Sequence, residues 1–249
     1  MRNILRKDLN LKSYSIPIVQ ELKLEDFDRR MNACSDLLDR IQEDHRKLDQ
    51  LLMTDECLFS VDNSIATSHC RRWSRIKPSI VQQKPLQPQR QLVWCGITSS
   101  EVIGPYFFDG PVTAESYRTM IEDFLLPHLR RRRVMRTTIF QQDGAPAHTA
   151  KVNLQWLRRV FGNRVVSKGC DMTWPPRSPD LTPPDYFLWG YLKLKIRKRR
   201  PTTLEDLIRC ILEEIEALNG KKQLLTSVFQ NFVKRLRKCV ESGGEHVID

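Results

Sequence analysis

Hydrophobic positions recur with a helical period from Leu24 onward, where Leu24, Phe27, Met31, Cys34, Leu38 and Ile41 fall on one face. The pattern then shortens. Asp55 to Val61 reads as a strand, and a polar stretch punctuated by proline follows to about Arg90. Two buried strands are predicted next, Gln91 to Thr98 and Val102 to Phe108, the second closed by Asp109-Gly110-Pro111. Thr113 opens a helix that runs to about Leu129 and is interrupted near Pro127. A strand from Thr137 to Gln141 ends in Gln142-Asp143-Gly144.

Beyond that turn, Val152, Leu154, Trp156, Leu157, Val160 and Phe161 mark an amphipathic helix, and Val165-Val166 a short strand. Pro175 to Pro184 is a proline-rich loop, after which helix returns at about Pro183 and reaches the basic run Lys193 to Arg200. Leu204, Leu207, Ile208, Ile211, Leu212, Ile215 and Leu218 follow a 3.6-residue period up to Gly220, and Leu224 to Leu236 form a last helix. Strands first, then alternating helices and short strands, imply a mixed sheet covered by helices. That is an α/β layout of the ribonuclease H type, although the pattern alone also suits several other folds.

Composition narrows the partners. Of 249 residues, 40% are hydrophobic, enough for a sizeable core, and 41 Lys and Arg against 30 Asp and Glu leave a formal charge of +11. A polyanion is one explanation, because clustered cations displace counterions from phosphates; a merely soluble basic surface is the other. Seven cysteines (Cys34, Cys57, Cys70, Cys95, Cys170, Cys210, Cys239) include no CxxC pair. With no secretory pattern after Met1, they read as buried thiols of a reduced, intracellular protein, and structural zinc is not expected. No apolar run approaches the roughly 18 residues of a membrane span.

Three aspartates sit where the chain could bring them together. Asp55 lies on the first strand, Asp143 just past a later strand, and Asp185 at a helix start. Phosphodiester chemistry needs such a set, because two divalent ions about 4 Å apart must be held by hard oxygen ligands. Each aspartate also has a local explanation. Asp55-Glu56 suits a solvated strand edge, and Asp143-Gly144 is a common turn pair. Thr182-Pro183-Pro184-Asp185 suits plain helix capping.

The strings around these acids carry more. Phe140-Gln-Gln-Asp-Gly-Ala-Pro-Ala-His148 and Trp174-Pro-Pro-Arg-Ser-Pro-Asp-Leu-Thr-Pro-Pro-Asp-Tyr-Phe-Leu-Trp189 resemble the second and third acidic motifs of mariner-like DNA transposases, and Thr54-Asp55-Glu56 resembles the first. Ile103 to Gly110 and Tyr14 to Lys23 are similar to the connecting segments. The resemblance covers nearly the whole chain. It implies a ribonuclease H-like mixed sheet over residues 23–249, two Mg²⁺ or Mn²⁺ ions, and DNA strand cleavage followed by strand transfer. Asp55, Asp143 and Asp185 then match the catalytic, metal-holding triad. If the three share one site, neutralising Asp143 should relieve mutual repulsion and cost the metal-free protein little stability. Asp180 is the alternative third ligand, and His148 either helps to position the site or serves a turn. The 41 residues between Asp143 and Asp185 exceed the spacing common among mariner chains, as though lengthened between Phe161 and Trp174.

Full-length members of that family carry two helix-turn-helix modules ahead of the catalytic domain. Residues 1–22 resemble only the tail of the second module and its linker. Residues 62–90 match the region that clasps a second subunit, so a homodimer is implied. Double-stranded DNA is the implied substrate and the nucleus the implied location. Arg130, Arg131, Arg132 and Arg133, and the group that ends in Arg197, Lys198, Arg199 and Arg200, are the candidate phosphate contacts. Solvated helix ends or a nuclear-localisation run are the alternatives, with phosphate contact the favoured reading. A DNA-binding protein derived from a transposase, without transposition activity, is the alternative function.

Overall fold

One mixed sheet of five strands runs through residues 19–61 and 89–248, the part of the chain that the computed structural model describes. Its central strand, β1 (Leu51–Ser60), pairs antiparallel with β2 (Arg90–Ile97), which pairs antiparallel with β3 (Val102–Phe108). On its other side β1 pairs parallel with β4 (Ile139–Gln141), and β4 with β5 (Val165–Val166). The order is therefore β3-β2-β1-β4-β5, the ribonuclease H-like arrangement expected. The proposed linker at 1–22 and the clasp at 62–90 lie outside the described residues, apart from 19–22 and 89–90.

Strand β1 begins at Leu51 and not at Asp55. Leu51 to Thr54 are all buried, and a central strand covered on both faces reads as a continuous apolar run with no alternation to mark its start. Asp55 is thus in the middle of the innermost strand, which removes the solvated-edge explanation for it.

Two helical layers cover the sheet. One holds α1 (Leu24–Glu43), α6 (Gly190–Arg199), α7 (Leu204–Asn219) and α8 (Lys222–Glu241), whose apolar stripes join Leu51, Met53, Cys57 and Phe59 of β1. The other holds α3 (Ala114–Met120), α4 (Leu126–Arg131) and α5 (Lys151–Phe161), packed on Leu52, Trp94 and Phe140. A short α2 (Arg46–Gln50) leads into β1. Because side chains alternate along a strand, Asp55 shares the face of Met53 and Cys57, and Glu56 shares the face of Leu52.

Side-chain caps set two of the helix starts. Thr113 accepts a hydrogen bond from the Ser116 amide, and Thr203 accepts one from that of Asp206, as N-caps do. The expected break near Pro127 takes the form of a π-helical turn, Ile121–Leu125, before α4. Pro127 follows directly on that π-helical turn, where the altered register accommodates a residue with no N–H to donate. The buried face of α1 departs from the apolar pattern. Leu24 is 91% exposed, whereas Asp26 and Arg30 are fully buried among partners distant in sequence.

Candidate active site

A cleft of about 740 Å³ opens at the end of the sheet where β1 and β4 lie side by side. Asp55, Asp143 and Asp185 all line it, with Thr54, Glu56, Gly144 and Thr182. Asp55 comes from the middle of β1, Asp143 from the residues just after β4, and Asp185 from a π-helical turn, Pro184–Trp189, that leads into α6.

Each acid is held by a neighbour. The Trp189 indole Nε1 donates to Asp55 Oδ2 at 2.7 Å, and the Thr182 hydroxyl donates to Asp185 Oδ2 at 2.6 Å. The Thr182 hydroxyl thus serves the Asp185 side chain and makes no N-cap bond, while its carbonyl receives the Asp185 and Tyr186 amides at 3.0 Å each. Plain capping does not account for Asp185. The Asp143 turn is real, since Asp143 Oδ1 accepts from the Ala145 amide at 3.0 Å, but the same oxygen also meets His148 Nδ1 at 2.5 Å.

His148 is 2% exposed and bridges two acids, because its Nε2 lies 3.2 Å from Glu56 Oε1. Its ring stacks on Tyr117 with centroids 4.1 Å apart. Tyr117 in turn donates to Gln142 Oε1 at 2.9 Å, and the Gln142 amide donates to the His148 carbonyl and to Ser167 Oγ. Of the two roles open to His148, positioning the site is the one its contacts describe.

The electrostatics divide the three acids. Burial pushes the Asp55 carboxyl well above the usual range, and the Asp185 charge adds to it. Asp185 is raised likewise, by burial and by Asp143, against the bond from Thr182. Asp143 goes the other way: burial would raise it, but the His148 bond and charge outweigh burial and hold it low. Burial alone would lower His148, yet bonds to Asp143 and Glu56 raise it to about 10, so the ring is protonated. Against the expectation that neutralising Asp143 would cost little stability stands its ion pair with His148: Asp143 both repels Asp185 and is held by the imidazolium.

Asp180 lines no part of the cleft. Its carboxylate is bound to Arg30 at 2.6 and 3.0 Å and to the Val247 amide at 2.8 Å. Arg130, Arg131, Arg132 and Arg133 are exposed, and Arg132 pairs with Glu101 at 3.2 Å. Arg197, Lys198, Arg199 and Arg200 are exposed at the end of α6, where Arg199 pairs with Glu213 and Glu214. Neither cluster reaches the cleft, whose basic lining is Lys23, Arg29, Lys168 and Arg177. Sequence patterns missed Arg29 and Lys168 because they are isolated residues, while Lys23 and Arg177 lie within segments singled out for other reasons. Trp189 and Thr182 had a signal, since both fall within the motif that holds Asp185.

The donor set suits a hard cation. Carboxylate oxygens are the ligands that Mg²⁺ and Mn²⁺ prefer, and the raised Asp55 and Asp185 show negative charge that lacks compensation. Among the described residues no three His, Cys, Asp or Glu side chains already form a closed ligand cluster. The Asp55 and Asp185 carboxyls act on each other's charge, while the Asp143 side chain is 46% exposed.

A central strand, its parallel neighbour and a helix at the sheet end, each bringing an aspartate to one cleft, define a protein of the ribonuclease H-like class. Comparison takes this further. Over 98% or more of its length the chain matches solved mariner Mos1 transposase complexes, with a TM-score of 0.78 and 22% identity for a paired-end complex with Mg, 71% of which is covered. The isolated Mos1 catalytic domain is covered completely, with a TM-score of 0.71 and 21% identity. In sequence the chain is 24% identical over 194 residues to the Tc3 transposase of Caenorhabditis elegans, which is 76% of this chain and 56% of that protein. It is 26% identical over 128 residues to the Tcb2 transposase of Caenorhabditis briggsae, 51% of this chain and 43% of that one. No protein-family model matches. The chain is similar to these transposases in sequence and shares the fold of the Mos1 catalytic domain, and it spans about half the length of the two it matches in sequence.

Proposed function

We propose that this chain is the catalytic core of a DNA transposase, which cuts DNA strands and joins the freed 3′ ends to new DNA. The observation that carries this reading is the convergence of Asp55, Asp143 and Asp185 on one cleft of a ribonuclease H-like fold. Likeness to Tc3 and Tcb2, and to Mos1 complexes with transposon-end DNA, supports it. Double-stranded DNA is the substrate, a second copy of the chain the partner, and the nucleus the place of action.

Asp55, Asp143 and Asp185 would hold two divalent cations, Mg²⁺ or Mn²⁺. When bound, these supply the positive charge that polarises the phosphodiester and eases deprotonation of the attacking hydroxyl. The protein's own residues do the rest. Trp189 and Thr182 fix one oxygen each of Asp55 and Asp185, so both carboxylates are oriented before substrate arrives. Protonated His148 holds Asp143 through Oδ1, which keeps Asp143 ionised, and its other nitrogen spans to Glu56. Lys23 and Lys168 offer phosphate contacts at the cleft, whereas Arg29 and Arg177 there are engaged by Glu25 and Asp26, and such contacts position a duplex without reading its sequence.

Nicking of supercoiled plasmid with Mn²⁺ or Mg²⁺ tests this. The wild-type chain should nick only with the cation, and Asp143→Asn should lose at least about 100-fold of the rate. Equal nicking by the variant would sink the assignment. DNA binding without any nicking, across cations and with the full-length protein, would favour the transposase-derived binding protein instead.

A further inference from the structure

The geometry points to Arg30 and Asp180 as positioning residues that set where Asp185 stands, although neither lines the cleft. Their role rests on the reading of Asp185 as a catalytic acid.

Arg30 is fully buried in α1, where a guanidinium is costly unless its N–H groups are met. They are. Both terminal nitrogens grip the Asp180 carboxylate, Nη1 also donates to Ser178 Oγ at 2.6 Å, and Nε donates to the Gly244 carbonyl at 2.8 Å. The last bond requires close approach. Gly244 has φ +89°, and a Cβ there would stand 2.1 Å from the Phe27 carbonyl oxygen, so only glycine lets the C-terminal tail lie against α1. The tail closes the arrangement with the Val247 amide on Asp180 Oδ2.

What this fork grips is the chain just before Asp185. Asp180 is the middle residue of a 3₁₀ turn, Pro179–Leu181, and Thr182 follows it. The Thr182 carbonyl then starts the turn that carries Asp185, and its hydroxyl holds Asp185 Oδ2. From the other side, Arg235 of α8 donates to the Asp180 carbonyl at 3.1 Å and lies 4.4 Å from the centre of the Tyr186 ring. The Tyr186 hydroxyl donates to the Val228 carbonyl at 3.0 Å. Both ends of the short stretch from Asp180 to Tyr186 are therefore tied to helices that pack on each other.

A buried ion pair stabilises a fold little compared with apolar packing, but its fixed, bidentate geometry specifies one arrangement. Here it specifies the path of the backbone into Asp185. Lysine at position 30 would keep the charge and lose the fork.

Arg30→Lys and the milder Asp180→Asn test this by hydrogen exchange and by Mn²⁺ binding followed by electron paramagnetic resonance. In both variants, amides of residues 182–189 should exchange about 10-fold faster, with the β1 and β4 amides unchanged. The Mn²⁺ concentration for half-saturation should rise about 10-fold, the usual effect of losing a group that orients a ligand. DNA affinity measured in a chelator should stay the same. Wild-type exchange over 182–189 in both variants, or acceleration spread evenly over every element, would overturn the positioning role. If exchange shifts as expected but the wild-type chain binds no Mn²⁺, the positioning role stands and the cation reading fails.

Discussion

The indole of Trp189 donates to the Asp55 carboxylate at 2.7 Å, although 133 residues of chain lie between them. Trp189 belongs to the same π-helical turn as Asp185. One turn of chain therefore delivers the third acid and at the same time grips the first. Any shift of this turn along the sheet disturbs two carboxylates together, which makes its anchoring matter more than its own length suggests.

The pair Asp55 and Asp185 should weaken the metal-free protein. Both carboxyls are raised in the folded state, by burial first and then by nearby acids. Folding thus favours their protonated forms. The cost is absent below the ordinary carboxylate range and is fully present once the pH exceeds the raised folded values. Asp185→Asn should therefore melt higher than wild type at neutral pH, by about 2–4 °C for each 1 kcal/mol relieved, and the two should converge in acid. Melting curves from about pH 4 to pH 8 in a chelator check this; parallel curves would contradict it.

His148 should behave in the opposite sense. Its ring is raised to about 10 by Asp143 and Glu56, so its contribution is complete below the ordinary histidine value and is lost as pH rises through about 10. His148→Gln should cost about 1–2 kcal/mol near neutral pH, between the values for exposed and buried pairs because the Asp143 side chain is partly exposed and screened by solvent. Urea denaturation of both proteins at several pH values gives the difference. A penalty that fails to shrink in alkali would mean that ring packing on Tyr117, and not charge, is what His148 supplies.

Phosphate contacts should come more from the cleft than from the two densest basic runs. Lys168 lines the cleft, whereas Arg199 is already engaged by Glu213 and Glu214. Lys168→Ala should lower the slope of log binding constant against log salt by about 0.9, one phosphate's share, and Arg199→Ala should change it less. Fluorescence anisotropy with a short duplex at several salt concentrations measures both slopes. The reverse order would return the DNA path to the end of α6.

Much of this molecule was legible along the chain. Apolar periods located the helices from Leu204 and Leu224 and the strands at Gln91 and Val102, since those elements bury a single stripe or a short apolar run whatever surrounds them. Motif strings singled out Asp55, Asp143 and Asp185, because hard-cation chemistry restricts the residue types that can serve. The tertiary structure alone decided the rest. It placed β1 at the centre of the sheet, so Asp55 is buried and not a solvated edge. It gave Asp180 to Arg30, 150 positions away, and made His148 the partner that keeps Asp143 ionised. A charge's partner and its burial are set by which distant segments meet, and local periodicity holds no record of that.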